Sequence, residues 1–322
     1  MLKYRAPLWL PGGHAQTIWP ALYARRNDDT PLTLRRERWT TPDGDFVDVD
    51  RLDAPVATAP MLVLFHGLEG STQSQYVQAF ATVARARGWA FAMPHFRGCS
   101  GELNLAPRAY HSGDYEEIGW MLDQLKATHG GPLLAAGVSL GGNALMRWAQ
   151  EAGETAARTA KAVCSICSPL DLEAAGHAIG KGFNRLVYTR MFLKTMVPKA
   201  LAKLAQHPGL FDGARLREVS DLYEFDNLFT APLHGFRDVD DYWRRASAKP
   251  HLQAIRIPAL ALNARNDPFV PASSLPGPAD AGRFVTLWQP AQGGHVGFPS
   301  GWPPGHVFSM PTQVCDWLAR AL

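Results

Sequence analysis

The chain has 322 residues, 46% of them hydrophobic and 19% charged, a composition that excludes a disordered polymer. Its formal net charge of +3 is too weak to indicate nucleic acid unless the charge clusters. Length alone suggests about two domains, although α/β enzymes of roughly 250 residues fold as one. One full core with an inserted subdomain is therefore the expectation.

The N-terminal stretch carries Lys3, Arg5, Pro7, Pro11, Gly12, Gly13 and His14. Its apolar segments are too short for a signal peptide, and no run of about 18 apolar residues exists to span a bilayer. Cys99, Cys164, Cys167 and Cys315 do not form a disulfide framework in a chain this long. Cys164 and Cys167 make a lone C-x-x-C with no second pair for zinc. Because they fall on a strand pattern, alternation predicts thiols on opposite faces, as packing residues. Free thiols suit the cytoplasm.

Residues 32–40 and 45–52 alternate polar and apolar around Thr41-Pro42-Asp43-Gly44, the pattern of a hairpin. Continuous apolar runs then recur at 60–65, 89–93, 133–138, 162–166, 258–262 and 284–288, the mark of strands buried on both faces. Helical periodicity occupies 76–87, 115–127, 143–152 and 313–321. Strands alternating with helices predict a mostly parallel sheet of eight strands flanked by helices. The rhythm stops at Ser168 and resumes at Pro258. The organisation expected is a core over 1–172 and 250–322, interrupted by a helical cap over 173–249. Ligands of such sheets bind outside the carboxyl ends of the strands, where an insertion would cover them.

Gly137-Val138-Ser139-Leu140-Gly141 follows one of these strands and precedes a helix, the context that a G-x-S-x-G nucleophile elbow requires. Small residues at 137 and 141 let a strained turn close. That turn lifts the Ser139 hydroxyl clear and puts the Leu140 N–H at a helix N-terminus, where a developing oxyanion is favoured. No G-K-[ST] follows, so this is no phosphate cradle, and no cofactor is expected. A second oxyanion donor is expected in His66-Gly67-Leu68-Glu69-Gly70, with Leu68 N–H the candidate and His66 a structural residue. The acid and base follow in the order Ser, Asp, His. Asp267 stands just beyond the strand at 258–262, and Asp280 is the rival in a loop with no strand to position it. His295 lies in a Gly-rich loop after the last strand, and His306 is its competitor.

Together these residues, with Pro11-Gly12-Gly13-His14-Ala15-Gln16-Thr17, Phe96-Arg97-Gly98-Cys99-Ser100-Gly101, Ala231-Pro232-Leu233-His234-Gly235-Phe236 and Asn263-Ala264-Arg265-Asn266-Asp267-Pro268-Phe269, resemble the YheT-like branch of the α/β-hydrolases, bacterial relatives of the ABHD-type lipid hydrolases. The resemblance spans nearly the whole chain. It implies a carboxylic-ester hydrolase with Ser139, Asp267 and His295 as its charge relay, acting on a small-molecule or lipid-like ester.

Between Ala174 and Phe211 stand Lys181, Arg185, Arg190, Lys194, Lys199 and Lys203, with no acidic residue. Interleaved with Phe183, Leu186, Val187 and Met191, they suit transient contact of the cap with an anionic lipid surface. The plainer reading, and the one the pattern favours, is a helical pair packed on the core with a solvated basic face. His207 and Asp212 spell H-x-x-x-x-D, a chance match to an acyltransferase pattern. Competing functions are acyl transfer from the same nucleophile, amide hydrolysis, and a non-catalytic hydrolase-fold binding protein.

Overall fold

The Pro-Asp-Gly segment closes an antiparallel hairpin of β1 (Arg35–Thr40) and β2 (Phe46–Leu52) in the computed structural model, which describes residues 2–26, 28 and 30–322. The apolar runs become β3 (Met61–Phe65), β4 (Ala90–Pro94), β5 (Leu133–Val138), β6 (Ala162–Ile166) and β7 (Ala259–Leu262), buried at every residue. β8 (Val285–Trp288) forms the far edge and is only partly covered. One sheet of eight strands has the order β1-β2-β4-β3-β5-β6-β7-β8. The hairpin joins it antiparallel through β2 and β4, and the remaining pairs are parallel.

Both faces are covered, as the unbroken apolar strands require. Met61, Val63 and Phe65 of β3 pack in one layer with α3 (Tyr115–Thr128) and α4 (Leu140–Ala152), together with Ile118, Met121 and Leu145. Leu62 and Leu64 face the other layer, formed by α2 (Gln75–Ala86) and a C-terminal helix over Ser309–Leu318. Two sequence expectations shift. α4 begins at Leu140 rather than Asn143, because the turn at Ser139 leads straight into helix. A helix absent from the periodicity reading, α1 (Gly13–Leu22), opens the fold despite Pro20 inside it.

The expectation for the C-x-x-C is corrected. β6 ends at Ile166, and Cys167 lies beyond it at φ 50°. That turn swings its side chain back, so Cys164 and Cys167 both lie in the layer with α2.

Between β6 and β7 the chain is helical. α5 (Leu172–Ile179) is capped by Asp171, which accepts the Ala174 N–H. A π-helical turn over Arg185–Thr189 runs into α6 (Arg190–Gln206). A second π turn, Asp226–Thr230, precedes α7 (Val239–Ala246), capped by Asp238.

Buried polar groups staple the loops at the strand ends. Arg97, after β4, donates to Asp43 and Asp45 of the hairpin turn at 2.8 and 2.9 Å and to Glu117 of α3 at 2.5 Å. His66, after β3, donates from Nδ1 to Gly67 O (2.7 Å) and accepts the Phe96 N–H at Nε2 (3.0 Å). His111 is buried against the rings of His234 and Tyr242.

Burial pushes His66 and His111 each down to about 3, whereas an unfolded histidine protonates near 6.5. Below about pH 6.5 the unfolded chain therefore binds protons that the folded chain refuses, and stability falls as the pH drops toward 3. Glu117, pushed up to about 7 by burial and by Asp114 beside it, and Asp226, pushed up to about 6 by burial, act in the opposite sense and offset most of the two histidines. The expected outcome is a small net loss, about 1 kcal/mol or less, between about pH 6.5 and 5, read as the unfolding free energy in urea. A fall of several kcal/mol across that interval contradicts it.

Candidate active site

Ser139 caps α4 with φ 52° and ψ −119°, a region that a side chain rarely occupies. The turn closes because its neighbours lack side chains. A Cβ on Gly137 would stand 2.5 Å from Gly141 O, and one on Gly141 would stand 2.4 Å from His66 O. The second contact presses the start of α4 against the end of β3. It thereby brings the loop after β3 beside the serine: a Cβ on Gly67 would lie 3.2 Å from Ser139 Cβ.

That loop presents its N–H groups selectively. Gly67 N–H donates to the Tyr76 hydroxyl at 3.0 Å, Glu69 N–H to the Tyr110 hydroxyl at 3.0 Å, and Gly70 N–H to Gly67 O at 2.9 Å. Leu68 N–H, between them, has no hydrogen-bond partner among the described residues, and neither has Leu140 N–H at the start of α4. Both residues line the same cavity as Ser139 and His295.

Asp267, Ser139 and His295 come together. His295 Nε2 lies 3.1 Å from Ser139 Oγ, and its Nδ1 lies 2.9 Å from Asp267 Oδ2. The Asp267 side chain is 0% exposed and that of His295 11%. The other Asp267 oxygen accepts N–H groups from Phe269 (2.8 Å) and Val270 (3.3 Å), which keeps the carboxylate aimed at the imidazole. The Phe269 ring packs on that imidazole with centroids 4.1 Å apart. The rivals are elsewhere: Asp280 accepts the Gly277 N–H at 2.8 Å, and His306 pairs by backbone with Ser300. His207 donates to or accepts from no member of this group; its Nε2 meets Leu105 O at 2.7 Å, and Asp212 caps a short helix.

Three side chains that hold this geometry escaped the sequence reading. Gln16, buried on α1, accepts N–H groups from Asn266 and Gly293, both at 2.9 Å, so it ties the aspartate loop to the histidine loop. Thr17 Oγ1 accepts the His295 N–H at 2.8 Å. Cys167 Sγ accepts the Val296 N–H at 3.3 Å and donates to Gly294 O at 3.7 Å, bracing His295 from both sides. Burial pushes that thiol well above the ordinary range, so it stays protonated. The available signals were the Pro11–Thr17 segment, carried by resemblance alone, and a C-x-x-C read only as packing. Among the described residues, no group of three His, Cys, Asp or Glu could hold a metal.

The cavity holds about 1190 Å³ of empty space including its open mouth. The insertion supplies apolar walls from Ile179, Phe192, Met196, Phe225 and Phe229. The six basic residues of the first half of the insertion divide. Lys199 and Lys203 turn inward: Lys199 Nζ pairs with Glu69 at 2.8 Å, and Lys203 Nζ donates to Asn104 O (2.5 Å) and Ala106 O (2.8 Å). Lys181, Arg185, Arg190 and Lys194 make no ion pair among the described residues and lie beside exposed Phe183, Leu186 and Met191. No helix of the described residues is long and apolar enough to cross a membrane.

Residues 60–301 match the family model described as "alpha/beta hydrolase fold". The chain is 39% identical over 314 residues to the protein named "Putative esterase YheT" of Escherichia coli (strain K12), covering 96% of this chain and 91% of that one. It is 30% identical to "Phospholipase ABHD3" of Mus musculus, covering 93% and 74%. Among solved structures, the esterase Pf2001 of Pyrococcus furiosus superposes with a TM-score of 0.58 at 14% identity, covering 93% and 97%, a likeness of fold. A strained serine elbow on this sheet, matched across nearly the whole chain, leaves one conclusion: the protein belongs to the α/β-hydrolase family, in its YheT-like branch.

Proposed function

We propose that the protein is a serine hydrolase of carboxylic esters, of class EC 3.1.1. The observation that carries this reading is the chain of contacts from Ser139 Oγ through His295 to Asp267, at 3.1 and 2.9 Å, at the wall of an apolar cavity. A serine hydroxyl is a weak nucleophile until a base accepts its proton. In this reading, Ser139 Oγ attacks the ester carbonyl carbon as its proton passes to His295 Nε2. Asp267 accepts Nδ1–H, fixing the tautomer and stabilising the imidazolium. Leu68 and Leu140 N–H groups receive the carbonyl oxygen as it gains charge. The tetrahedral intermediate collapses, and the alcohol leaves with the proton from Nε2. Water then gives its proton to the same nitrogen, attacks the acyl-enzyme and releases the acid.

Residues 173–249 act as the cap in this reading, and their apolar walls favour short- to medium-chain or lipid-like acyl groups. The names of the mouse phospholipase and of a yeast relative, "Monoacylglycerol lipase", 28% identical with 59% of its length covered, support a lipid-like ester. Four free, buried cysteines suit a reducing compartment such as the cytoplasm.

A fluorescent fluorophosphonate is expected to label the protein and to leave Ser139→Ala unlabelled; equal labelling of the two refutes the assignment. Ester hydrolysis by Asp267→Asn is expected to fall about 10³–10⁴-fold, because the imidazole loses its tautomer. Across p-nitrophenyl esters from acetate to palmitate, kcat/KM is expected to peak at short to medium chains, and a series without preference removes the role given to the cap walls. Exposed Phe183, Leu186 and Met191 beside four cations that make no ion pair among the described residues suit a surface of anionic lipid. Phosphatidylglycerol vesicles are expected to sediment the protein at low salt and release it at about 0.5 M salt. No sedimentation at low salt overturns the lipid contact.

A further inference from the structure

Glu69 follows the unpaired Leu68 N–H and stands at φ 55°, in the left-handed region that a glutamate rarely adopts. One phenol holds it there. The Tyr110 hydroxyl accepts Glu69's own N–H at 3.0 Å and donates to Glu69 Oε1 at 2.9 Å, closing a ring between backbone and side chain of the same residue. The second carboxylate oxygen, Oε2, receives Lys199 Nζ at 2.8 Å. Lys199 comes from α6, in the insertion, whereas Glu69 and Tyr110 belong to the core. The Glu69 side chain is 10% exposed. A carboxylate so covered is costly unless its donors stay in place.

We propose that Tyr110 and Lys199, acting through Glu69, are positioning residues for the Leu68 N–H, so that the oxyanion site is complete only when α6 is seated on the core. The inference rests on the ester-hydrolase reading, which assigns that N–H its role. The geometry supports it from both ends of the loop. Tyr76 anchors the Gly67 N–H at 3.0 Å, and Tyr110 anchors the Glu69 N–H, so the direction of the intervening Leu68 N–H is set by two phenols. The Tyr76 anchor lies wholly within the core. The Tyr110 anchor shares its carboxylate with the insertion. Without the ammonium, Glu69 has one fewer strong donor to oppose its left-handed strain, and relaxation of φ turns the Leu68 peptide away from Ser139. A displaced donor loses most of its effect on a charge that develops only in the transition state.

The test uses the full chain with p-nitrophenyl butyrate and an alkyl trifluoromethyl ketone, whose serine adduct places an oxyanion where the tetrahedral intermediate would. Tyr110→Phe is nearly isosteric, and Lys199, 39% exposed, tolerates truncation without a cavity, so both variants are expected to stay folded, with a urea midpoint lowered because the Glu69 carboxylate loses a donor, and kinetics are read in the absence of urea, well below that midpoint. Tyr110→Phe and Lys199→Met are each expected to lower kcat about 10- to 100-fold with KM within about twofold. Ketone affinity is expected to fall by the same factor as kcat/KM, and Lys199→Arg to recover most of the loss. The double variant is expected to lose less than the product of the two single losses, because both act through one carboxylate. A kcat unchanged in either single variant, a loss confined to KM, or a rise in kcat from an unlatched cap overturns the proposal. Ser139→Ala separates the levels. If it keeps full activity, the ester-hydrolase reading fails and this inference with it. If it is inert while Tyr110→Phe and Lys199→Met match the parent, only the positioning role fails.

Discussion

Ser139 stands at φ 52° and ψ −119°, a conformation that persists only where the surroundings over-determine it. The surroundings here are backbone. Gly137 meets Gly141, and Gly141 meets the carbonyls of Phe65 and His66 at the end of β3. The same contacts that strain the serine therefore set the separation of β3 and α4. They carry the Leu68 and Leu140 N–H groups to the serine from two elements that are distant in sequence. A side chain at 137 or 141 would do more than relieve a turn. It would push the β3 loop away from α4 and separate the hydroxyl from both N–H groups.

The other two members of the constellation have no such backbone lock. Asp267 and His295 sit on loops, which move more than the elements they connect, and both are held by side chains from far along the chain. Gln16 bridges the two loops with one amide oxygen, Thr17 takes the His295 N–H, and Cys167 grips the peptides on either side of it. α1 thus works as a clamp on the site. Its close approach explains Gly13 and Gly297: a Cβ on the first would meet Asn266 O at 1.9 Å, and on the second Gln16 O at 1.7 Å.

What could be read from residue order follows from this difference. The core strands were legible because burial on both faces leaves an unbroken apolar run, and Ser139, Asp267 and His295 because each follows such a run in a turn that a plain connector would not need. The clamp was not legible. Gln16 and Thr17 act through hydrogen bonds to loops some 250 and more positions away in sequence, and no local period records such a contact. α1 itself carries Pro20 and two glycines at its start, which mask a helix whose stability comes from packing. Cys167 was misplaced because alternation holds only inside a strand, and the strand ends one residue earlier. The basic run in the insertion could be counted but not divided, since nothing in its spacing says that Lys199 and Lys203 turn inward while four others face out.

That division bears on the chemistry. Arg97, Lys199 and Lys203 all line the cavity, which could make it a site for anions. Yet Arg97 is committed to three carboxylates, Lys203 to carbonyls and Lys199 to Glu69. Asp226, also in the wall, is bonded to Thr230 and the Trp243 indole and pushed up to about 6 by burial. Each charge is met by a partner in the protein, so the walls offer a ligand mainly apolar surface. Two backbone N–H groups beside a serine are then left without a partner among the described residues, in a region of low dielectric where a dipole acts on nearby charge far more than in water. A neutral ester entering such a cavity meets little that would hold its ground state by charge. In the proposed hydrolysis, the oxygen that becomes anionic on attack would meet donors already in place. This asymmetry between ground and transition state is what the proposed hydrolysis requires, and it arises because the surrounding charges are already paired with one another.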